Sequence, residues 1–434
     1  MQNALLYFVI FMAMVVVLGI FNEKVTKITY EIALMLFAMI LGLIGLGIEN
    51  FTIAAPISTL VNTVHSFNLE SFLINGVLCF MLFSGSCHMS LKDFRDQARA
   101  VTVLSVLATL LGAVFYGLLF YGVACLLGLG FSIPVCLMFG SIVAPTDPIA
   151  ATSILNKFGL PKHISFLIEG ESLLNDGVGV ALFVCFSGMV RASSGGENFF
   201  LVLGRELFGA VLVGVVVTFL CYPIFSMTKD VTRRVFTSML AVSVVYLICE
   251  YLSFSGAIAS VVCGVLFSRF CEKLGAKGEN DLTEYDTFWD ILDNLLNSIL
   301  YVILGLSFFY ILQMPQVLLI SLAAILCNLI GRSASVGICT FVMGPIPDGY
   351  GKGGFTILLT WGGLRGALCI ALAMSTAGMI DTGTYHIILG ATCAIVFFTT
   401  IIQGLTMKAV YRRIKVCHGD SPHKTTAAIN QMPR

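Results

Sequence analysis

A small set of ionisable side chains stands inside long apolar stretches of the sequence, where charge is expensive. Asp147 lies in Ala144-Pro145-Thr146-Asp147-Pro148, and a second cluster follows as Glu169-Gly170-Glu171-Ser172-Leu173-Leu174-Asn175-Asp176-Gly177. At about 100° per residue on a helix, Ser172 and Asp176 are neighbours one turn apart, with Asn175 projecting beside them. A hydroxyl, an amide and a carboxylate offer hard oxygen ligands to an alkali cation that sheds its water, and the carboxylate alone can instead take a proton. Such a cluster has two mutually exclusive ligands.

The remaining buried charges are Arg332 and Arg365. Asp147, Glu169, Glu171 and Asp176 face these two guanidinium groups, so at least two acids lack a permanent cation and must hold a proton, a metal ion or water. Each charge at a helix centre costs about 2.5–3.5 kcal/mol on insertion scales, so charges that remain mark a pathway or a pair. Two prolines around Asp147 remove backbone donors and should break the helix there, with Asp147 as a cation ligand or as a cap on the next half-helix. Three glycines in Trp361-Gly362-Gly363-Leu364-Arg365-Gly366-Ala367 loosen a second helix late in the chain. Arg365 is expected to pair with Glu171 and tie the two broken regions together; Arg332 can do likewise or reach toward the interface. For Ser172 or Asn175 alone, a polar seam between helices is the bland alternative, and Glu169 stands nearer a helix end.

The elements that must position these residues follow from composition. Of 434 residues, 58% are hydrophobic and 11% charged, against about 25% charged in an ordinary soluble domain. The chain is a membrane protein. A hydrocarbon core about 30 Å thick takes roughly 20 apolar residues per helix, and such runs fall at 4–22, 29–48, 70–89, 100–127, 131–155, 163–190, 199–227, 234–252, 255–270, 289–312, 316–343, 354–379 and 383–410. The first lacks the basic start and cleavage site of a signal peptide and is read as a retained span. The positive-inside rule tests the count. With the N-terminus outside and the C-terminus in the cytoplasm, all 24 Lys and Arg lie on the inner side except Arg191, Arg205, Arg332 and Arg365. Matching interruptions in spans one to six and eight to thirteen suggest an inverted six-helix repeat with span seven as connector.

Lys+Arg and Asp+Glu balance at 24 each, which argues against a nucleic-acid partner. The 14 Cys are scattered singly through apolar runs, without disulfide or zinc spacing. A serine hydrolase needs a base at membrane depth, but His88, His163 and His386 fall near span ends; an HExxH helix is absent. The chain is not expected to be an enzyme or to need a cofactor.

The stretches Ala144–Pro148, Ile168–Gly177 (IEGESLLNDG), Phe288–Leu306 (FWDILDNLLNSILYVILGL) and Trp361–Ala367 (WGGLRGA) resemble, in order, the NhaP-type sodium/proton antiporters of the monovalent cation/proton antiporter-1 family. The likeness runs from about Ile10 to Arg413. It implies an all-α polytopic membrane protein with the NhaA/NhaP-like antiporter fold, about thirteen transmembrane helices and a homodimeric assembly in lipid. A dimerisation domain would comprise residues 1–99 and 234–312, a transport bundle 100–190 and 316–411, a connector 199–227, and a short cytoplasmic tail 412–434. Asp176, Ser172, Thr146 and Asp147 would coordinate Na+ or exchange the proton, with Asn175 shaping the site and Glu171 paired to Arg365. Many relatives carry a further carboxylate in the third span, where this chain has Leu82-Phe83-Ser84-Gly85-Ser86; Ser84 is the candidate ligand there.

The expected function is exchange of Na+ or Li+ for H+ across the plasma membrane, one for one and electroneutral. A neutral Asn175 leaves Asp176 to alternate between one proton and one monovalent cation. A K+/H+ exchanger, a cation channel and a non-transporting membrane sensor are the alternatives.

Overall fold

The computed structural model describes residues 2–49, 72–147, 151–152, 155–156, 159–191, 198–276, 282–307, 318–344, 346 and 351–417. Among these the chain is nearly all helix. The helices are α1 (Gln2–Phe21), α2 (Tyr30–Glu49), α3 (Leu78–Cys87), α4 (Leu91–Thr102), α5 (Ala108–Leu126), α6 (Ile133–Ile142), α7 (Lys162–Arg191) and α8 (Phe199–Met227). They continue as α9 (Val231–Leu252), α10 (Gly256–Ala276), α11 (Thr283–Ser307), α12 (Leu318–Met343), α13 (Lys352–Gly362), α14 (Ala367–Met374), α15 (Thr382–Phe397) and α16 (Gly404–Cys417). Wide π-helical turns join α4 to α5 at Val103–Leu107 and α15 to α16 at Phe398–Gln403.

Polar side chains start several of these helices by accepting from otherwise orphaned backbone N–H groups. Asn198 accepts from Phe200 and Asp230 from Thr232. Asp381 accepts from Thr384 at 2.9 Å. Ser253, at φ 56°, closes α9 through Phe254 N–H to the Cys249 carbonyl, so the runs 234–252 and 255–270 are two helices with a tight turn between them.

Each of the thirteen apolar runs contains helix, and among the described residues eight helical segments are long and apolar enough to cross a membrane. Of the remaining runs, α3 and α6 are short apolar helices and 354–379 is interrupted. Both expected interruptions are present: α6 stops at Ile142 and the chain through Asp147 is not helical, while residues 363–366 separate α13 from α14. The last helix continues to Cys417, several residues beyond the expected end of the final span. Pro148, the connection 50–71 and the tail from residue 418 fall outside the described residues.

The helices pack as two groups. Helix α11 lies against α1, α2 and α3, and α10 against α3, α8 and α9. In the other group α5 packs on α6 and α12, α7 on α6, and α15 on α12 and α14. Helix α7 also touches α8 and α10, so it runs along the boundary. At Gly179 of α7 an added Cβ would overlap the ring of Pro145, so glycine here lets the broken chain approach α7.

Candidate ion-binding site

The two interruptions meet. Asp147 N–H donates to the Leu364 carbonyl at 2.7 Å, an antiparallel bridge between the two non-helical stretches. In a continuous helix the Ala144 carbonyl would accept from the N–H of residue 148, but a proline has none to give. Arg365 supplies the missing donors: its Nη1 donates to the carbonyls of Ala144 and Pro145, and its Nη2 donates to Asn328 Oδ1 at 3.0 Å. The backbone of Arg365 is held in turn by the wide turn Phe398–Gln403, donating to Thr399 Oγ1 and accepting from Thr400 Oγ1.

Arg365 is therefore not the partner of Glu171. That role belongs to Arg332 of α12, whose Nη2 donates to Glu171 Oε1 at 3.0 Å and to Oε2 at 3.1 Å with both side chains buried. The correction has a physical reason. Arg365 stands within a chain break whose partner strand presents bare carbonyls, and these take its donors, whereas Arg332 projects from an intact helix toward α7.

Behind the break lies a closed polar network. Asn175 Nδ2 donates to Glu171 Oε1 at 2.8 Å and to Thr146 Oγ1 at 2.6 Å, and Asn175 Oδ1 accepts from Thr146 N–H at 3.2 Å. The hydroxyls of Thr146 and Ser172 are 3.0 Å apart. Thr146, Glu171, Ser172 and Asn175 are all buried. The sequence-predicted residues are thus brought together, but in two layers: the network inside, and Asp147 and Asp176 facing a cavity of about 390 Å³. Among the described residues, the Asp176 carboxylate has no hydrogen-bond or ion-pair partner. Asp147 Oδ2 accepts from the Tyr301 phenol at 2.7 Å.

Ser84 stands apart from this arrangement. Its hydroxyl donates to the Trp289 carbonyl at 2.9 Å, and it does not line the cavity. The candidate third-span ligand is spent on joining α3 to α11. Glu169 does line the cavity, accepting from Ser165 Oγ at 2.9 Å.

The opposite wall holds residues that sequence reasoning did not single out. Asp290, Asp293, Asn297 and Tyr301 of α11 all line the cavity, spaced by three, four and four residues along one helical face. Asp290 lies at the solvent-facing mouth, where its Oδ1 is 3.4 Å from His88 Nε2. The signal was available in Phe288–Leu306 as polar residues at helical spacing in an apolar run. Among the described residues, no Lys or Arg lines the cavity. An acidic chamber walled by apolar side chains concentrates small cations.

Comparison with known proteins gives this geometry a context. The profile of the transmembrane sodium/hydrogen exchanger family matches residues 10–413. The Na(+)/H(+) antiporter NhaP of Pseudomonas aeruginosa is 28% identical over 415 residues, covering 93% of this chain and 95% of that protein. The Na(+)/H(+) antiporter NhaH of Halobacillus dabanensis is 29% identical over 401 residues, covering 90% and 93% respectively. Among solved structures, the sodium proton antiporter MjNhaP1 from Methanocaldococcus jannaschii superposes with a TM-score of 0.72 at 20% identity, over 96% of this chain and 100% of that one.

Proposed function

From the premise that this chain belongs to the transmembrane sodium/hydrogen exchanger family, and is thus a multi-pass membrane protein of cation/proton antiport, we propose that it exchanges Na+ or Li+ for H+, one for one, at Asp176. The observation that carries this reading is the contrast between adjacent side chains. Asn175 is consumed by the network with Glu171 and Thr146, while Asp176 opens into a cavity where, among the described residues, it has no hydrogen-bond partner and meets no Lys or Arg.

A carboxylate in that position can hold one proton or one monovalent cation, and each excludes the other. Asp147 is the second cation ligand, presented by the broken chain and fixed by its own N–H to Leu364. The hydroxyls of Thr146 and Ser172 hold the break against α7 and supply neutral oxygens beside the cation. With Asn175 neutral, a loaded site carries the same charge whether it holds the proton or the cation, and exchange is electroneutral.

Alternating access is assigned to motion of α4–α7 and α12–α16 against α1–α3 and α9–α11, with the protein as a homodimer in the plasma membrane. With the N-terminus outside and the C-terminus inside, the mouth at His88 and Asp290 faces the cytoplasm. The test is initial sodium-driven proton flux in proteoliposomes. Saturable flux without large unitary currents supports an exchanger; channel-like currents or no turnover in folded protein reject it.

A further inference from the structure

The phenol of Tyr301 and the carboxylate of Asp147 belong to different helix groups. Tyr301, 3% exposed, sits on α11 with α1, α2 and α3. Asp147 sits in the break after α6, bonded through its N–H to Leu364 and flanked by carbonyls that Arg365 holds. Their 2.7 Å hydrogen bond therefore crosses the cavity that separates the groups. Asp290, Asp293 and Asn297 share the same face of α11 but lie toward the mouth, and among the described residues Asp176 has no comparable tie.

We propose that Tyr301 is a positioning residue whose O–H competes with the transported cation for Asp147 Oδ2, latching the bundle to α11 until a cation displaces it. The inference rests on the reading of Asp147 and Asp176 as the ion site. A phenol hydroxyl is a hydrogen-bond donor at neutral pH. O–H···O⁻ bonds are short and strong, and they are lost once the oxygens separate much beyond about 3 Å. A lone pair given to that proton is withheld from a cation. A cation that takes Oδ2 as its ligand and draws Asp147 toward Asp176 pulls that oxygen away from the phenol, which links occupancy to freedom of the bundle to move.

The experiment compares thermal unfolding of full-length wild type and Tyr301→Phe, purified in choline chloride or in saturating sodium chloride at equal ionic strength. Phenylalanine keeps the ring and removes only the donor. The variant should melt lower in choline, and the deficit should shrink toward zero in sodium, because sodium has already displaced the bond in wild type. In proteoliposomes its apparent KM for sodium should fall severalfold, with a smaller change in maximal rate. An equal melting deficit in both salts, or an unchanged or raised KM, overturns the latch while leaving the ion site in place. Failure of sodium to shift wild-type melting overturns the ion-site reading and the latch with it.

Discussion

Glu171 and Arg332 form a buried pair in which one guanidinium nitrogen reaches both carboxylate oxygens, at 3.0 and 3.1 Å. Removing one partner of such a pair costs about 3–5 kcal/mol, because the other charge is left buried and uncompensated. Arg332→Ala should therefore lower the melting temperature strongly. Measured as double-mutant cycles with Glu171→Gln, the coupling should be large for Arg332 and small for Arg365. Equal coupling of both arginines to Glu171 would contradict the observed pairing.

Asp176→Asn removes the proton-exchangeable carboxylate while leaving the Asn175 network intact. Flux should vanish in proteoliposomes, and size-exclusion profile and melting temperature should stay near wild type, since that carboxylate holds no hydrogen bond among the described residues. Exchange at the wild-type rate would overturn its assignment.

If proton and cation compete for Asp176, as proposed, acid should raise the apparent KM for sodium and added sodium should relieve the inhibition. Electroneutrality is checked in the same vesicles by clamping the membrane potential at zero and then at a large inside-negative value, after showing that potassium is not a substrate. A charge moving in the cycle would feel about 2.3 kcal/mol per 100 mV. Equal rates support one-for-one exchange; a severalfold change brings Asp147 or Glu169 into the proton count.

Cys417 should react with an impermeant thiol reagent from the cytoplasmic side only, when retained as the single cysteine. Labelling from outside in intact cells contradicts the orientation with the C-terminus inside.

At Asp381 the N–H and hydroxyl of Thr384 hold the carboxyl below its usual range. The lowered pKa means that the cap stabilises the folded chain above the ordinary carboxylate range and that this contribution disappears as pH falls through the folded value. Asp381→Ala should cost roughly 1 kcal/mol at neutral pH, a typical N-cap loss. The melting gap to wild type should close in acid; a gap constant with pH rejects the cap.

Much of the site was legible because its determinants are local. Prolines at 145 and 148 cannot donate, so a break at Asp147 follows from the chain itself. The spacing of Ser172, Asn175 and Asp176 likewise determines which side chains adjoin on one helix. What stayed hidden depends on which helices meet. Either arginine could serve Glu171, and only the placement of α12 decides between them. Ser84 finds its acceptor 205 residues away at Trp289. Asp290 and Asp293 lie near the start of the apolar run 289–312, where the sequence places them at a span end. In the folded chain, α11 begins at Thr283, which carries both into the cavity wall. Glu206, near the start of the run 199–227, is likewise buried in α8 only once neighbouring helices close over it.

The two chain breaks are fastened by a backbone bridge, by Arg365 on two carbonyls, and by threonines from the turn at 398–403. Every one of these ties lies within one helix group. The backbone seat of Asp147 is thus a preassembled cartridge, which the facing wall meets only at the carboxylate, through Tyr301, among the contacts described above. If the cavity is the ion path proposed above, substitutions along Asp290, Asp293 and Asn297 should change the solvation an ion meets without dismantling those fastenings. The carboxylate seat and the polar wall that faces it are thus written on separate helices.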